Sequence, residues 1–152
     1  MAGLPVTLSD AIEEFLAYRG TAGFRPNTLL INARSLSIFL REVGNVQVRH
    51  VDARHGEMFQ AYLMGKGYKP NTVNSHLTTL SAFTKWLRSR HYLAGGSDPT
   101  ANTRAIKAMV EPRTRIEPKD FNAFLDICST PLERIVVALG LYLFVRASEI
   151  TA

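Results

Sequence analysis

One stretch of the sequence combines a polar helical face with a complete lack of acidic residues. Between Lys69 and Arg90 there is no Asp or Glu, whereas solvated helix faces usually carry Glu and Lys four residues apart. Opposite a stripe of leucines, helical spacing aligns mostly short side chains: Asn71, Asn74, Ser75, Thr78, Ala82, Lys85 and Ser89, with Lys69 and His76 beside them and Thr72 at the start. Amides and hydroxyls can bond base edges, and lysines can neutralise phosphates. We therefore interpret this face as one that meets a nucleic-acid duplex.

A second stretch repeats this arrangement. Asn27, Arg34 and Arg41 follow one another at seven-residue intervals, with Arg25 and Thr28 at the start and Glu42 as the single acid. Because the first backbone N–H groups of a helix are unpaired, such a start can bind a phosphate. Ordinary capping of the helix by Asn27 is an equally open explanation for that residue.

Other kinds of chemistry lack a basis in the sequence. The four histidines, His50, His55, His76 and His91, do not have metal-site spacing and are interpreted as surface or phosphate-adjacent groups. Cys128, the one cysteine, is interpreted as a small apolar residue of a helix. Trp86 and Phe83 fall on apolar helix faces, which favours core packing over base stacking. No metal or cofactor is expected.

The elements that must position these residues are all helical. Apolar spacing and capping residues predict helices at about 7–19, 25–43, 53–64 and 70–90, followed by a segment rich in Gly and Pro. Two more helices are predicted to begin at Glu117 and at Thr130-Pro131, the last one running to Ala152. No strand signal and no internal repeat of fixed period are apparent. The sequence predicts an all-α protein with a DNA-binding domain at 1–93, a linker at 94–115 and a further domain beginning at 116.

Charge and hydropathy agree with a nucleic-acid partner. The net charge is +5 and the pI is about 9.7, and the acids of the first helix, Asp10 to Glu14, precede a basic middle region. No apolar run approaches the roughly 20 residues of a membrane span, and no signal peptide is apparent. A cytoplasmic protein is therefore expected.

Several motifs resemble the core-binding domain of phage-type tyrosine recombinases (integrases). The two helix starts, Arg25-Pro26-Asn27-Thr28 and Lys69-Pro70-Asn71-Thr72, resemble that domain's helix starts, and Asp98-Pro99-Thr100-Ala101 resembles its exit into the interdomain linker. The resemblance implies a four-helix, SAM-like core-binding bundle. It also implies a linker and the first two helices of a truncated catalytic domain, whose opening is similar to Glu117-Pro118-Lys119-Asp120-Phe121.

The most specific motif is Val145-Arg146-Ala147-Ser148-Glu149-Ile150, which is similar to the family's G-L-R-I-S-E-L. The resemblance implies that Arg146 is the first catalytic arginine, which would bind two oxygens of the attacked phosphate. A surface arginine paired with Glu149 is the other explanation of this hexapeptide. Leu143-Phe144 stand where the family usually has Thr-Gly, and the remaining catalytic residues are expected further downstream, so the chain alone is expected to be an inactive fragment.

By the same resemblance, the whole protein would cleave and rejoin DNA strands through a phosphotyrosyl link without a metal or nucleotide. Its partners would be duplex DNA at core-type half-sites and further copies in a synaptic tetramer, in a bacterial host cell or its nucleoid. Exposed Val136, Leu139 and Leu143 would favour disorder, helix swapping or self-association.

Two other classes of protein fit the sequence. One is a helical protein-interaction or regulatory domain that docks through the acidic first helix. The other is a helix-turn-helix transcription factor, which is disfavoured because residues 64–72 make a poor tight turn.

Overall fold

The structure, a computed structural model, describes residues 6–108, 116–145 and 147–150, without the side chains of residues 147 and 148. Its helices are α1 (Leu8–Thr21), α2 (Pro26–Val43), α3 (Ala53–Gly65), α4 (Pro70–Ser89), α5 (Phe121–Asp126), α6 (Pro131–Leu143) and α7 (Ala147–Ile150), with 3₁₀ turns at Val48–His50 and Pro118–Asp120. The described ranges contain no strand, only an isolated bridge between Thr7 and Gln47. The predicted all-α class is confirmed. The chain forms two compact units, residues 1–109 and 110–152, here called the first and second units.

Two kinds of helix start occur in the first unit. Thr7 and Asp52 close capping boxes with Asp10 and His55 at the starts of α1 and α3, and the hydrogen bond from His55 holds the pKa of the Asp52 carboxyl below its usual value. In contrast, α2 and α4 begin with a proline after an extended Arg25 or Lys69, and neither start has a side-chain cap. Proline is well suited to this position because its φ is already helical. The N–H group that it lacks would have no partner within the helix in any case. Asn27 therefore does not cap α2, and that alternative is wrong.

The core of the first unit takes one phenylalanine from each of its four helices. Phe15 packs edge-on against Phe83 and Phe39 against Phe59, both with ring centroids 5.3 Å apart. All four rings are at most 1% exposed, and Trp86 joins the first pair. Burying such rings contributes about 1.5–3 kcal/mol each. The predicted core positions of Phe83 and Trp86 are thus confirmed.

The first unit is built from two similar helical hairpins, α1–α2 and α3–α4. The sequence Gly23-Phe24-Arg25-Pro26-Asn27-Thr28 recurs as Gly67-Tyr68-Lys69-Pro70-Asn71-Thr72, and both glycines have a positive φ, of 79° and 74°. The expected absence of an internal repeat was therefore wrong.

Hydrogen bonds between α2 and α4 follow the same repeat. Thr79 Oγ1 donates to Asn32 Oδ1 at 3.3 Å, and His76 Nδ1 lies 2.8 Å from Ser35 Oγ. Asn32 and His76 occupy equivalent positions in the two hairpins, and so do Ser35 and Thr79. The pair formed by Asn32 and Thr79 is therefore equivalent to the pair formed by His76 and Ser35. Equivalent positions of the two hairpins therefore meet each other between α2 and α4.

Residues 97–106, here called the strap, pack on α3 and α4 although they fall within the predicted linker. Asp98 pairs with Arg88 at 2.6 Å, Gln60 bonds Arg104, and Asn74 bonds Ile106. Ile106 also contacts the core. Residues 109–115 of the predicted linker lie outside the described residues, and the predicted division into domains stays a prediction.

The second unit contains α5, α6 and α7. Thr130 and Glu133 form a capping box at the start of α6. The helix ends at Leu143 because Phe144 adopts the left-handed conformation, with φ 55° and ψ 29°, so the predicted helix from Pro131 to Ala152 was wrong. Val136 and Leu143 are exposed, as expected, whereas Leu139 is half-buried. Self-association through these residues stays a prediction.

Candidate nucleic-acid interface

The predicted polar face of α4 lies on one exposed side of the helix, opposite the core. Its exposed members are Asn71, Thr72, Ser75, Thr78, Lys85 and Ser89, and Lys69 precedes them. Thr78 Oγ1 donates to the carbonyl of Asn74. The sequence pattern therefore located this surface correctly.

Four cations at the starts and on the polar faces of α2 and α4 have no carboxylate partner among the described residues of the first unit. Across residues 6–108, no acidic oxygen lies within 4.0 Å of the charged atoms of Arg25, Arg34, Lys69 or Lys85, whereas Arg88 pairs with Asp98 and Arg90 with Glu14. All four free cations are exposed. Such side chains keep their positive potential for an external anion.

Arg41 is less available than its position on α2 predicts. Its Nε lies 3.1 Å from Glu42 Oε1, and a terminal nitrogen donates to the hydroxyl of Tyr62 at 2.6 Å. The hydrogen bond to Glu42 raises the pKa of Arg41 further. Contact with a phosphate would compete with these bonds.

The exposed side of α2 is less polar than that of α4. Asn27 and Arg34 are exposed and Thr28 is half-buried, but Leu30 and Ile31 beside them are 49% and 42% exposed. Sequence reasoning missed these two apolar side chains because it followed the seven-residue line of polar residues alone.

Asn74 has a different role from the one that its position predicts. Its amide nitrogen donates to the carbonyl of Ile106, and its amide oxygen accepts from the Ile106 N–H, both at 2.8 Å. Since both ends of the amide are occupied, the expectation that Asn74 contacts bases is not supported. Sequence reasoning missed this role because the partner lies 32 residues away in an irregular segment.

The histidines divide into two groups. His50 and His91 are exposed, in agreement with a surface position. His55 instead belongs to the start of α3, and His76 lies half-buried between α2 and α4, where burial lowers its pKa. The surface interpretation was wrong for these two. No cluster of metal-ligating residues occurs among the described side chains.

An open cleft of about 570 Å³ lies beside the α4 face, within the first unit. Sequence reasoning did not predict two of its lining residues, Arg19 and Phe24; the guanidinium of Arg19 lies 4.1 Å from the ring centroid of Phe24. Thr78 and Lys85 line the same cleft. The polar face of α4 thus continues into a basic and aromatic depression.

The sequence analysis singled out two residues of the second unit, Arg146 and Cys128. Arg146, the predicted catalytic arginine, lies outside the described residues, immediately before α7. Cys128 is half-buried on the turn after α5, and its thiol donates to the carbonyl of Phe124. The expectation that it belongs to a helix was therefore wrong. No helix in the described ranges is both long and apolar enough for a membrane span.

Comparison with known proteins gives matches among solved structures. No protein family and no curated protein matches the sequence. A lambda integrase dimer bound to a COC′ core site matches with a TM-score of 0.74 and 17% identity over 90% of this chain. A lambda integrase tetramer bound to a Holliday junction matches with a TM-score of 0.75 and 16% identity over 91%. The Tn1549 transposon integrase in complex with a circular intermediate DNA matches with a TM-score of 0.61 and 18% identity over 88%.

These matches establish the fold. The chain is similar to the integrases in its helical architecture, so the integrase-like fold suggested by the motifs is confirmed. It spans 38%, 39% and 44% of the three matched chains.

Proposed function

We propose that this chain binds duplex DNA and forms the DNA-binding part of a tyrosine recombinase of the integrase type. The observation that carries the proposal is the exposed face of α4, which presents amides and hydroxyls next to Lys69 and Lys85. Neither lysine has a carboxylate partner in the first unit as described. A protein gains most of its affinity for DNA by neutralising phosphates with such free cations.

Each part of the surface has a proposed role. Lys69, Lys85, Arg25 and Arg34 bind phosphates of the backbone, which orients the unit on the duplex. At the starts of α2 and α4, the Asn27 and Asn71 N–H groups add donors for phosphate oxygens. The Thr28 and Thr72 N–H groups at the same starts donate to the carbonyls of Arg25 and Lys69, so these threonines contribute their hydroxyls. The proposed base contacts come from the exposed polar side chains further along α4: Asn71, Ser75 and Thr78.

The DNA substrate that we propose is a half-site of a recombination site. Among the structures of similar fold, one lambda integrase is a dimer bound to a core site and another is a tetramer bound to a Holliday junction. By analogy, this chain would recognise a core-type half-site during DNA integration, and further copies would occupy the other half-sites of a synaptic tetramer.

We further propose that Arg146 contributes to strand cleavage and rejoining by the whole protein. A guanidinium can donate two parallel hydrogen bonds to a phosphate and stabilise the charge that develops during attack. This proposal depends on the motif from Val145 to Ile150 and is independent of the binding surface.

The experiment that tests the function is selection of bound duplexes from random sequence, followed by salt titration on the selected site and a scrambled control. The proposal predicts an enriched half-site, or an inverted pair of half-sites, bound more tightly than the control. The logarithm of its binding constant should fall linearly with the logarithm of the salt concentration. If neither duplex binds, the proposal is wrong and the protein-interaction class becomes the better interpretation.

A further inference from the structure

Two side-chain amides hold the strap. They bond its backbone N–H and carbonyl groups in the way that a neighbouring β-strand would. Gln60 on α3 accepts the N–H of Arg104 at 3.2 Å and donates to its carbonyl at 2.9 Å. Asn74 on α4 makes the same pair of bonds with Ile106, two residues further along. A β-strand bonds its neighbour at alternate residues in this way. The backbone groups of Arg104 and Ile106 are therefore held by side chains of α3 and α4.

Arg104 is exposed, and its guanidinium has no acidic partner among the described residues of the first unit. Within the described part of the first unit, no carboxylate oxygen lies within 4.0 Å of its guanidinium, in contrast to Arg88, which pairs with Asp98. Together with Thr78, Ser81 and Thr103, Arg104 lines an open groove of about 320 Å³ between the strap and α4. The described residues that line this groove include no acid.

The groove joins the strap to the proposed DNA-binding surface. Thr78 is exposed on the polar face of α4 and also lines the groove. An anion bound to this face at Thr78 would therefore lie beside the groove that Arg104 also lines. Because the fork of a guanidinium matches two phosphate oxygens, arginine is well suited to this position.

We infer that Arg104 is a further phosphate-binding residue of the DNA interface and that Gln60 is its positioning residue. The inference rests on the proposed function and extends it from α2 and α4 to the strap. Gln60 fixes both backbone groups of Arg104, so less conformational entropy is lost when the arginine binds than if it lay on a free loop. No motif in the sequence marks either residue.

The test compares duplex binding by variants of the full chain across a salt titration. Arg104→Ala should weaken binding roughly tenfold, the size of one charge-assisted hydrogen bond, and should reduce the salt slope by about 0.9. The matched control is Arg49→Ala, because Arg49 is also exposed but lies in the turn at Val48–His50, where the Val48 N–H donates to the carbonyl of Val6. This control should leave both quantities unchanged.

A double-variant comparison tests the positioning role. Gln60→Ala should weaken binding in the wild-type background and should have no further effect when Arg104 is already alanine. If Gln60 contributes only to stability, Gln60→Ala should weaken binding equally in both backgrounds. That result would overturn the positioning role. Gln60→Met serves as a second, uncharged variant: it keeps the length of the side chain but makes neither bond to Arg104, so its effect should match that of Gln60→Ala.

The outcomes separate this inference from the proposed function. If the wild-type chain does not bind duplex DNA, the proposed function fails and this inference fails with it. If the wild type binds and Lys85→Ala weakens binding, but Arg104→Ala behaves like Arg49→Ala, only the present inference is overturned.

Discussion

The carbonyl oxygen of Pro99 occupies the space where a side chain at Gly56 would begin. A Cβ built on Gly56 would lie 1.7 Å from that oxygen, far inside any real contact distance. Gly56 thus allows the strap to approach the backbone of α3. Its role is steric rather than conformational, because Gly56 lies inside the helix and does not have a positive φ.

Gly56→Ala is therefore expected to displace the strap from α3. The new methyl group meets backbone atoms that cannot rotate away, and overpacking of this kind costs about 1–3 kcal/mol. Urea unfolding should show this loss, and amide exchange should accelerate at residues 104–106. The control is Gly65→Ala in the same helix, where an added Cβ meets nothing within 4 Å; it should raise the free energy of unfolding by up to about 1 kcal/mol. Equal effects of the two variants would contradict the account.

Asn74→Ala is expected to weaken the strap without changing the preferred DNA sequence. The substitution leaves the N–H and the carbonyl of Ile106 without their partners, which costs about 1–3 kcal/mol. Hydrogen exchange at Ile106 and selection from random duplexes measure the two effects. Ser75→Ala, on the exposed neighbour, should change stability by less than about 0.5 kcal/mol. A relaxed sequence preference together with unchanged stability would restore Asn74 as a base-contacting residue.

Lys85→Ala and Arg34→Ala are each expected to weaken binding to all duplexes alike. Each removes one phosphate contact, so the salt slope should decrease by about 0.9 per variant. Fluorescence anisotropy at several salt concentrations measures this slope, with Arg49→Ala as the control. Unchanged slopes in both variants would show that the DNA-binding surface lies elsewhere.

Phe144→Gly is expected to stabilise the second unit. Phe144 holds a left-handed conformation that costs a non-glycine residue about 1–2 kcal/mol, and its side chain is 83% exposed, so few contacts are lost. Thermal unfolding or amide exchange in α6 should show a gain of about 1 kcal/mol. Leu143→Gly, one residue earlier but inside the helix, should instead lose about 1 kcal/mol. Losses in both variants would mean that the conformation at Phe144 carries no strain.

Stability is expected to fall as the pH drops through the ordinary histidine pKa of 6.5, partly because of His76. Burial lowers the pKa of His76 in the folded state, so below pH 6.5 the unfolded chain takes up a proton that the folded chain resists. The unfolding free energy therefore decreases with falling pH. His76→Gln can keep a hydrogen bond to Ser35 and cannot take up this proton, so its stability should decrease less between pH 7 and pH 5. Parallel curves for the two proteins would exclude a contribution from His76.

The helices of the first unit could be predicted from the sequence because their signals are local. Apolar spacing, prolines at helix starts and glycines at helix ends located α1 to α4 within about two residues, and the acid-free stretch located the exposed face of α4. The role of Asn74 could not be predicted, because its partner Ile106 lies in an irregular segment. The end of α6 was missed because Phe144 adopts a conformation that its residue type disfavours.

The measurement that tests the central claim most directly is a titration of isotopically labelled protein with a duplex, followed residue by residue through amide chemical shifts. Binding through the proposed surface should shift the starts of α2 and α4 and the residues around Lys85, and added salt should reverse these shifts. Shifts confined to the acidic start of α1 or to the second unit, or no shifts at all, would contradict the claim that this chain holds DNA through α2 and α4.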